Sequence, residues 1–252
     1  MDLVAPDPGT AETFYSQLFG WDVEDTGEEF GHYRIARKGG SRVAGIGSPP
    51  PDQPMPAMWT TYLASADADA TAGAITTAGG TVLFPPMDIG AEGRMFLAAD
   101  PAGATFGVWE ARNHTGSQLA NEPGAFTWNE CMSRDYEAAK AFYGEVFGFS
   151  WSDMSGEGFS YATAMIDGQP VGGLGGLPAD DEAIPSHWMG YFKVEDCARS
   201  AARIAELGGS VQREPWDTPF GTISVVADDQ GAAFSIMADN EESTANAAAQ
   251  GG

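Results

Sequence analysis

The segment Phe126–Ser133 alternates in character, and read as a β-strand it sets Trp128, Glu130 and Met132 on one face. That face is apolar except for one carboxyl. Burying a carboxylate on a half-exposed strand costs on the order of several kcal/mol unless it is paired or takes up a proton. Glu130 is therefore a candidate general acid/base, its other role being to accept hydrogen bonds from nearby backbone or from Arg134. The same alternation groups Met189 with Tyr191, and Ser235 with Met237. A matching set lies earlier in the chain: Asp2, Thr60, Tyr62, Thr105 and Trp109, with Tyr33 corresponding to Tyr161. Glu130, Tyr161 and Tyr191 are the candidate catalytic residues. Trp128, Met132, Met189, Ser235, Met237, Tyr33, Thr60, Tyr62 and Trp109 are the candidate contacts for an apolar or aromatic ligand.

Other chemistry finds less support. The glycine runs Gly172–Gly176 and Val43–Gly47 lack the strand–GxGxxG–helix setting and the GK[ST] ending of phosphate loops, and close backbone packing at a strand end explains them. No nucleophile elbow or Ser-His-Asp order is present. Cys131 and Cys197 have no CxxC spacing and read as small buried hydrophobes. With 36 acidic against 12 basic side chains, the formal net charge of −24 argues against a nucleic-acid partner. Apolar stretches such as Met95–Ala99 and Ile223–Ala227 fall far short of the roughly 20 residues that cross a bilayer, and Met1–Thr10 shows neither a basic nor an apolar leader. A soluble, cytoplasmic protein is the expectation.

The elements that must position these side chains repeat. Phe14–Trp21 (FYSQLFGW) is echoed 128 residues later by Phe142–Phe149 (FYGEVFGF). In the same order and register, Val43–Gly47 matches Val171–Gly175, Trp59 and Tyr62 match Trp188 and Tyr191, Gly79-Gly80 matches Gly208-Gly209, and Asp100–Ala104 matches Asp228–Ala232. The chain reads as a tandem duplication: a first copy over 1–112 whose first strand is short, a polar joint over 113–124, a second copy over 125–240, and a tail over 241–252 expected to be disordered. Within each copy the pattern predicts two βαβββ modules, with Asp135 and Asp196 as helix N-caps and Gly148 as a helix stop. Ser48–Pro56 and Leu177–Pro185 read as extended connectors between modules.

Four βαβββ modules, helices ending in FYxxxFG and DPxGA-type turns closing every second module resemble the vicinal oxygen chelate superfamily of glyoxalases, bleomycin-resistance proteins and dioxygenases, and most of all its two-domain actinobacterial-type glyoxalase-like members. The resemblance spans roughly residues 1–238. It implies an α+β fold of two cup-shaped, eight-stranded mixed sheets, with one cup in each copy or with modules exchanged between the copies. It also implies where metal-using members place His, Gln or Glu. Those positions fall here on Trp128, Met189 and Ser235, and in the first copy on Thr60 and Gly107, so neither a metal nor another cofactor is expected. His187 and Glu130 lie two residues from ligand positions. The resulting expectation is a protein that binds, and by acid/base chemistry transforms, a small apolar or aromatic metabolite. The alternatives are a sequestering protein of the bleomycin-resistance type, and a metal-dependent lyase, isomerase or dioxygenase. Two copies in one chain make a monomer or weak homodimer the expected state.

Overall fold

The computed structural model describes residues 1–178 and 183–250. Four βαβββ modules follow one another. The first runs β1 (Asp2–Val4), α1 (Pro8–Phe19), β2 (Asp22–Asp25), β3 (Arg34–Lys38) and β4 (Ser41–Gly47). The second begins with a strand interrupted at Thr61, giving β5 (Met58–Thr60) and β6 (Tyr62–Ser65), and continues through α2 (Ala68–Thr77), β7 (Thr81–Ile89), β8 (Gly93–Ala99) and β9 (Thr105–Ala111). The third comprises β10 (Phe126–Ser133), α3 (Tyr136–Phe147), β11 (Ser150–Asp153), β12 (Tyr161–Ile166) and β13 (Gln169–Gly176). The fourth comprises β14 (His187–Lys193), α4 (Cys197–Glu206), β15 (Ser210–Thr218), β16 (Gly221–Ala227) and β17 (Ala233–Ala238), and is followed by α5 (Glu241–Gln250).

The modules do not pair copy by copy. One compact unit gathers Met1–Trp59, Ser117–Thr127 and Gly190–Gly252, and the other gathers Thr60–Gly116 and Trp128–Met189. The first and fourth modules thus build the first unit, and the second and third build the second. The sequence repeats and the compact units are different divisions of the chain. In the first unit the strand orders are β2-β3-β4-β1-β5 and β14-β17-β16-β15; in the second they are β11-β12-β13-β10 and β6-β9-β8-β7. Each four-strand set joins one parallel pair (β1/β4, β14/β17, β10/β13, β6/β9) to antiparallel neighbours, so the sheets are mixed.

Helices cover one face of each sheet pair. In the first unit Phe14, Tyr15 and Phe19 of α1 and Cys197, Ala201 and Ile204 of α4 pack on Leu3, Phe192, Phe234 and Ile236. In the second, Ala68 and Ile75 of α2 and Ala139, Phe142 and Tyr143 of α3 pack on Phe96, Phe106, Val108 and Leu174. Asp135 and Asp196 cap their helices as expected, accepting from the N–H groups of Ala138 (3.1 Å) and Arg199 (2.9 Å). Gly20 and Gly148 end α1 and α3 at φ 69° and 72°, a conformation in which a Cβ would be strained.

Buried in each core is the same polar network. The Tyr15 hydroxyl donates to Asp228 Oδ2 (2.9 Å) and accepts from Trp59 Nε1 (2.9 Å). Its counterpart joins Tyr143 to Asp100 Oδ2 (3.2 Å), with Trp188 Nε1 donating to the Tyr143 hydroxyl (2.8 Å). The other carboxylate oxygen of each Asp closes its own turn, accepting from Gln230 and Ala232 N–H in one case and from Ala102 and Ala104 N–H in the other. The tyrosine of the FYxxxFG helix and the aspartate of the D-x-x-G-A turn therefore come from different copies in both units.

Three sequence expectations are corrected. The tail is helical through Gln250: Asn240 Oδ1 accepts from Ser243 N–H (2.8 Å) and its amide donates to Thr218 O (3.0 Å), which anchors the start of an alanine-rich stretch of high helix propensity; 251–252 lie outside the described residues. β7 and β15 run on beyond Thr81–Phe84 and Ser210–Arg213, the spans that the sequence pattern predicts for them, because register shifts at Phe84/Met87 and Arg213/Trp216 accommodate Pro85, Pro86 and Pro215 on edge strands. The connector Ser48–Pro56 folds back through a Gln53 N–H to Pro50 O bond (3.0 Å); in its counterpart, residues 179–182 lie outside the described residues.

Asp228→Ala would strand the Tyr15 hydroxyl and two turn N–H groups. It should lower unfolding free energy by about 2–4 kcal/mol, seen as a lower urea midpoint at unchanged slope. An unmoved midpoint would show that the network carries no stability.

Candidate functional site

β10 presents two faces. Asn129, Cys131 and Ser133 are buried beneath the helices, whereas Trp128, Glu130 and Met132 are partly exposed on the opposite face. In the parallel ladder with β13, Glu130 lies opposite Gly173 and Met132 opposite Gly175, and Tyr161 of β12 also pairs with Gly175. Two missing side chains let the Tyr161 ring lie across β13. A Cβ at Gly173 would collide with the Tyr161 hydroxyl, and one at Gly175 would come within 2.7 Å of Met132 Sδ. The glycine run thus accommodates aromatic and thioether side chains on the open face, a more specific role than backbone packing at a strand end.

The result is a short hydrogen-bonded chain. The Tyr161 hydroxyl donates to Glu130 Oε2 (2.9 Å) and accepts from Trp128 Nε1 (3.2 Å). Burial, reinforced by the adjacent Glu130 charge, pushes the Tyr161 phenol well above its ordinary value, while the Trp128 bond opposes this. Tyr161 is accordingly a protonated donor and Glu130 its acceptor. Three residues singled out from sequence meet here.

The other half of this unit carries further candidates. Tyr62 on β6 lies opposite Gly107 on β9, its ring occupying the space a Gly107 Cβ would fill. Trp109 Nε1 donates to His114 O (2.7 Å) and its ring meets the His114 ring edge-on. Thr60, at the end of β5, is buried. Phe84 and Met87 on β7, opposite Leu97 and Met95, add exposed apolar surface, and Met87 lies beyond the strand predicted from sequence. The apolar spacing beyond Pro85 was its only signal.

The first unit holds the remaining candidates except Met189. Tyr33 covers Gly45 and Gly47 as Tyr161 covers Gly173 and Gly175, and a Cβ at Gly45 would lie 2.9 Å from Asp2 Oδ1. Tyr191 sits opposite Ser235, and Met237 opposite Lys193. Tyr191 thus belongs to a different compact unit from Glu130 and Tyr161; Met189 is the last residue of the second unit.

Among the described residues no three His, Cys, Asp or Glu side chains form a group that could hold a metal ion. The donors around Glu130 are a phenol, an indole N–H and a thioether, a set that does not fit a divalent cation. His187 Nδ1 engages Pro185 O (2.8 Å) and His32 the Asp25 carboxylate (3.1 Å). No helix among the described residues is long and apolar enough to cross a membrane.

A family model described as Glyoxalase/Bleomycin resistance protein/Dioxygenase superfamily matches residues 1–108 and 128–236. The chain is 39% identical over 243 residues to a Mycobacterium tuberculosis protein named "Putative glyoxylase CFP32", covering 94% of this chain and 92% of the relative. It is 37% identical over 252 residues to the anthracycline biosynthesis protein DnrV of Streptomyces peucetius, covering 94% and 90%. The Mn(II)-bound glyoxalase from Novosphingobium aromaticivorans shares the fold at TM-score 0.63 and 19% identity, covering 95% of this chain and 81% of that one.

Tyr15 and Tyr143 are, like Tyr161, pushed up by burial first and by nearby acidic groups second. Phenols raised in the folded state favour it fully below their unfolded value, and that contribution fades as pH climbs past about 10. In an alkaline absorbance titration, these three of the seven tyrosines should ionise only as the protein unfolds. Reversible ionisation of all seven in the folded state would contradict this.

Proposed function

The chain belongs to the Glyoxalase/Bleomycin resistance protein/Dioxygenase superfamily, and we propose that it binds a small planar aromatic metabolite on the open face of its second unit and moves a proton on it through Glu130. The observation that carries this reading is the Trp128–Tyr161–Glu130 chain. A carboxylate fixed by a phenol among aromatic neighbours has what proton abstraction from a weakly acidic C–H or O–H requires: an acceptor, an orienting donor, and low local polarity. Glu130 takes the substrate proton, Tyr161 shifts its hydroxyl proton toward the oxygen on which charge develops, and Glu130 returns the proton at the same or a conjugated carbon. No oxidant enters, and the electrons stay within the substrate. Trp128, Tyr62 and Trp109 supply ring faces for stacking. Two relatives are named anthracycline biosynthesis proteins, which makes a fused-ring aromatic the chemical class to try first.

Anthrone is a suitable probe, because its methylene protons are acidic and their exchange in D2O is read by NMR. The protein should bind it, quenching tryptophan fluorescence, and should accelerate the exchange. Glu130→Gln should leave affinity within about threefold and cut the accelerated exchange by about 100-fold or more. Binding without any acceleration by the wild-type protein would replace catalysis with sequestration. Acceleration undiminished in Glu130→Gln would remove Glu130 from its role.

A further inference from the structure

The strand registers set four residues of the first unit in one row: Arg213 opposite Val225, Val225 opposite Ser235, and Ser235 opposite Tyr191. The corresponding row of the second unit is Phe84, Leu97, Gly107 and Tyr62. Both rows lie on the face away from the helices; in the first unit Phe234 and Ile236, on either side of Ser235, point into the core. One row contains no polar group besides a phenol. Its counterpart carries a cation and a hydroxyl at positions where the fold tolerates Phe and Gly, so neither is needed to build the sheet.

Both groups carry hydrogen-bonding capacity that the fold leaves unused, Arg213 at the surface and Ser235 beneath it. The Arg213 guanidinium lies 3.7 Å from the centre of the Trp216 ring. Trp216 stands opposite Ile223, two residues along β16 from Val225, which puts it on the same face. Stacked in this way, a guanidinium keeps its edge N–H groups available for a planar anion. In a chain with three acids for every base, Arg34, Arg37, Arg94, Arg112, Arg199 and Arg203 all engage carboxylates. Arg213 is exposed and has no carboxylate within ion-pair distance among the described residues. Ser235 is 0% exposed and its hydroxyl has no hydrogen-bond partner, a cost to the fold that a ligand oxygen would remove. Asp2, the acid of this unit's open face, belongs to the other row, opposite Gly45.

We propose that this face of the first unit is a binding site for an aromatic carboxylate: the ring stacks at Trp216, the carboxylate takes a forked pair of bonds from Arg213, and a second oxygen of the ligand accepts from Ser235. Across two strand spacings Arg213 and Ser235 are about 10 Å apart at their Cα atoms, a span that an arginine side chain and a two-ring ligand bridge together. The two units then serve different chemistry, one an uncharged aromatic and the other its anionic kind.

The probe is 3-hydroxy-2-naphthoate, with the neutral 3-hydroxy-2-naphthamide as control, each titrated calorimetrically into the full chain. The naphthoate should bind with a submillimolar Kd that weakens with added salt. Arg213→Gln, an exposed change that leaves the core intact, should weaken it tenfold or more while sparing the naphthamide. Ser235→Ala should weaken it several-fold without lowering the melting temperature, because it removes an unsatisfied hydroxyl. Glu130→Gln should leave it unchanged, which separates this site from the one in the second unit. No naphthoate binding at millimolar concentration, an unchanged Kd in Arg213→Gln, or a loss that follows Glu130→Gln instead would overturn the proposal.

Discussion

A buried phenol, a carboxylate and an indole hold each unit together. In such a core none of the three can be left unpaired without a penalty, so the groups constrain one another: the indole N–H needs the phenol oxygen, the phenol proton needs the carboxylate, and the carboxylate's second oxygen closes the turn that starts the last strand of its sheet. This explains why motifs far apart in sequence recur together. The helix ending FYxxxFG, the D-x-x-G-A turn and the lone Trp are parts of one joint, and the joint fixes where helix and sheet meet. Upon that fixed frame the opposite sheet faces are free to vary.

They have varied. Each unit places a tyrosine across a glycine-bearing strand next to an acid, Tyr161 with Glu130 and Tyr33 with Asp2. Beyond that shared feature the faces diverge, one lined by Phe84, Leu97 and Met87, its counterpart by Arg213, Val225 and Trp216. The cores under both faces remain alike, because a change there would leave a cavity or an orphaned hydrogen bond.

How much of this could be read from sequence depended on how local it was. The modules, their caps and the alternation of β10 were legible because they rest on spacing within a few residues, and Glu130, Tyr161 and Trp128 were found because all three lie within one module. Which modules share a core was not legible: the two copies carry the same Tyr, Asp and Trp, so pairing within or between copies satisfies the local pattern equally well. Tyr191 was grouped with Glu130 for that reason, and the contacts of the folded chain divide them. Trp216 was overlooked because the predicted strand stopped at Arg213, whereas on an edge strand a register shift absorbs Pro215. The helical end of the chain escaped notice because its anchor is one asparagine reaching back to Thr218.

The pairing of outer with outer and inner with inner modules also orders the chain in time. Tyr143 and Asp100 are 43 residues apart, whereas Tyr15 and Asp228 are separated by 213. As the polypeptide leaves the ribosome, the inner unit has all its strands once Met189 has emerged. The apolar helix face of the first module has its partner sheet only when β14 and β17 of the fourth have been made. The inner unit closes over shorter stretches of chain than the outer one, whose core joins the first module to the last.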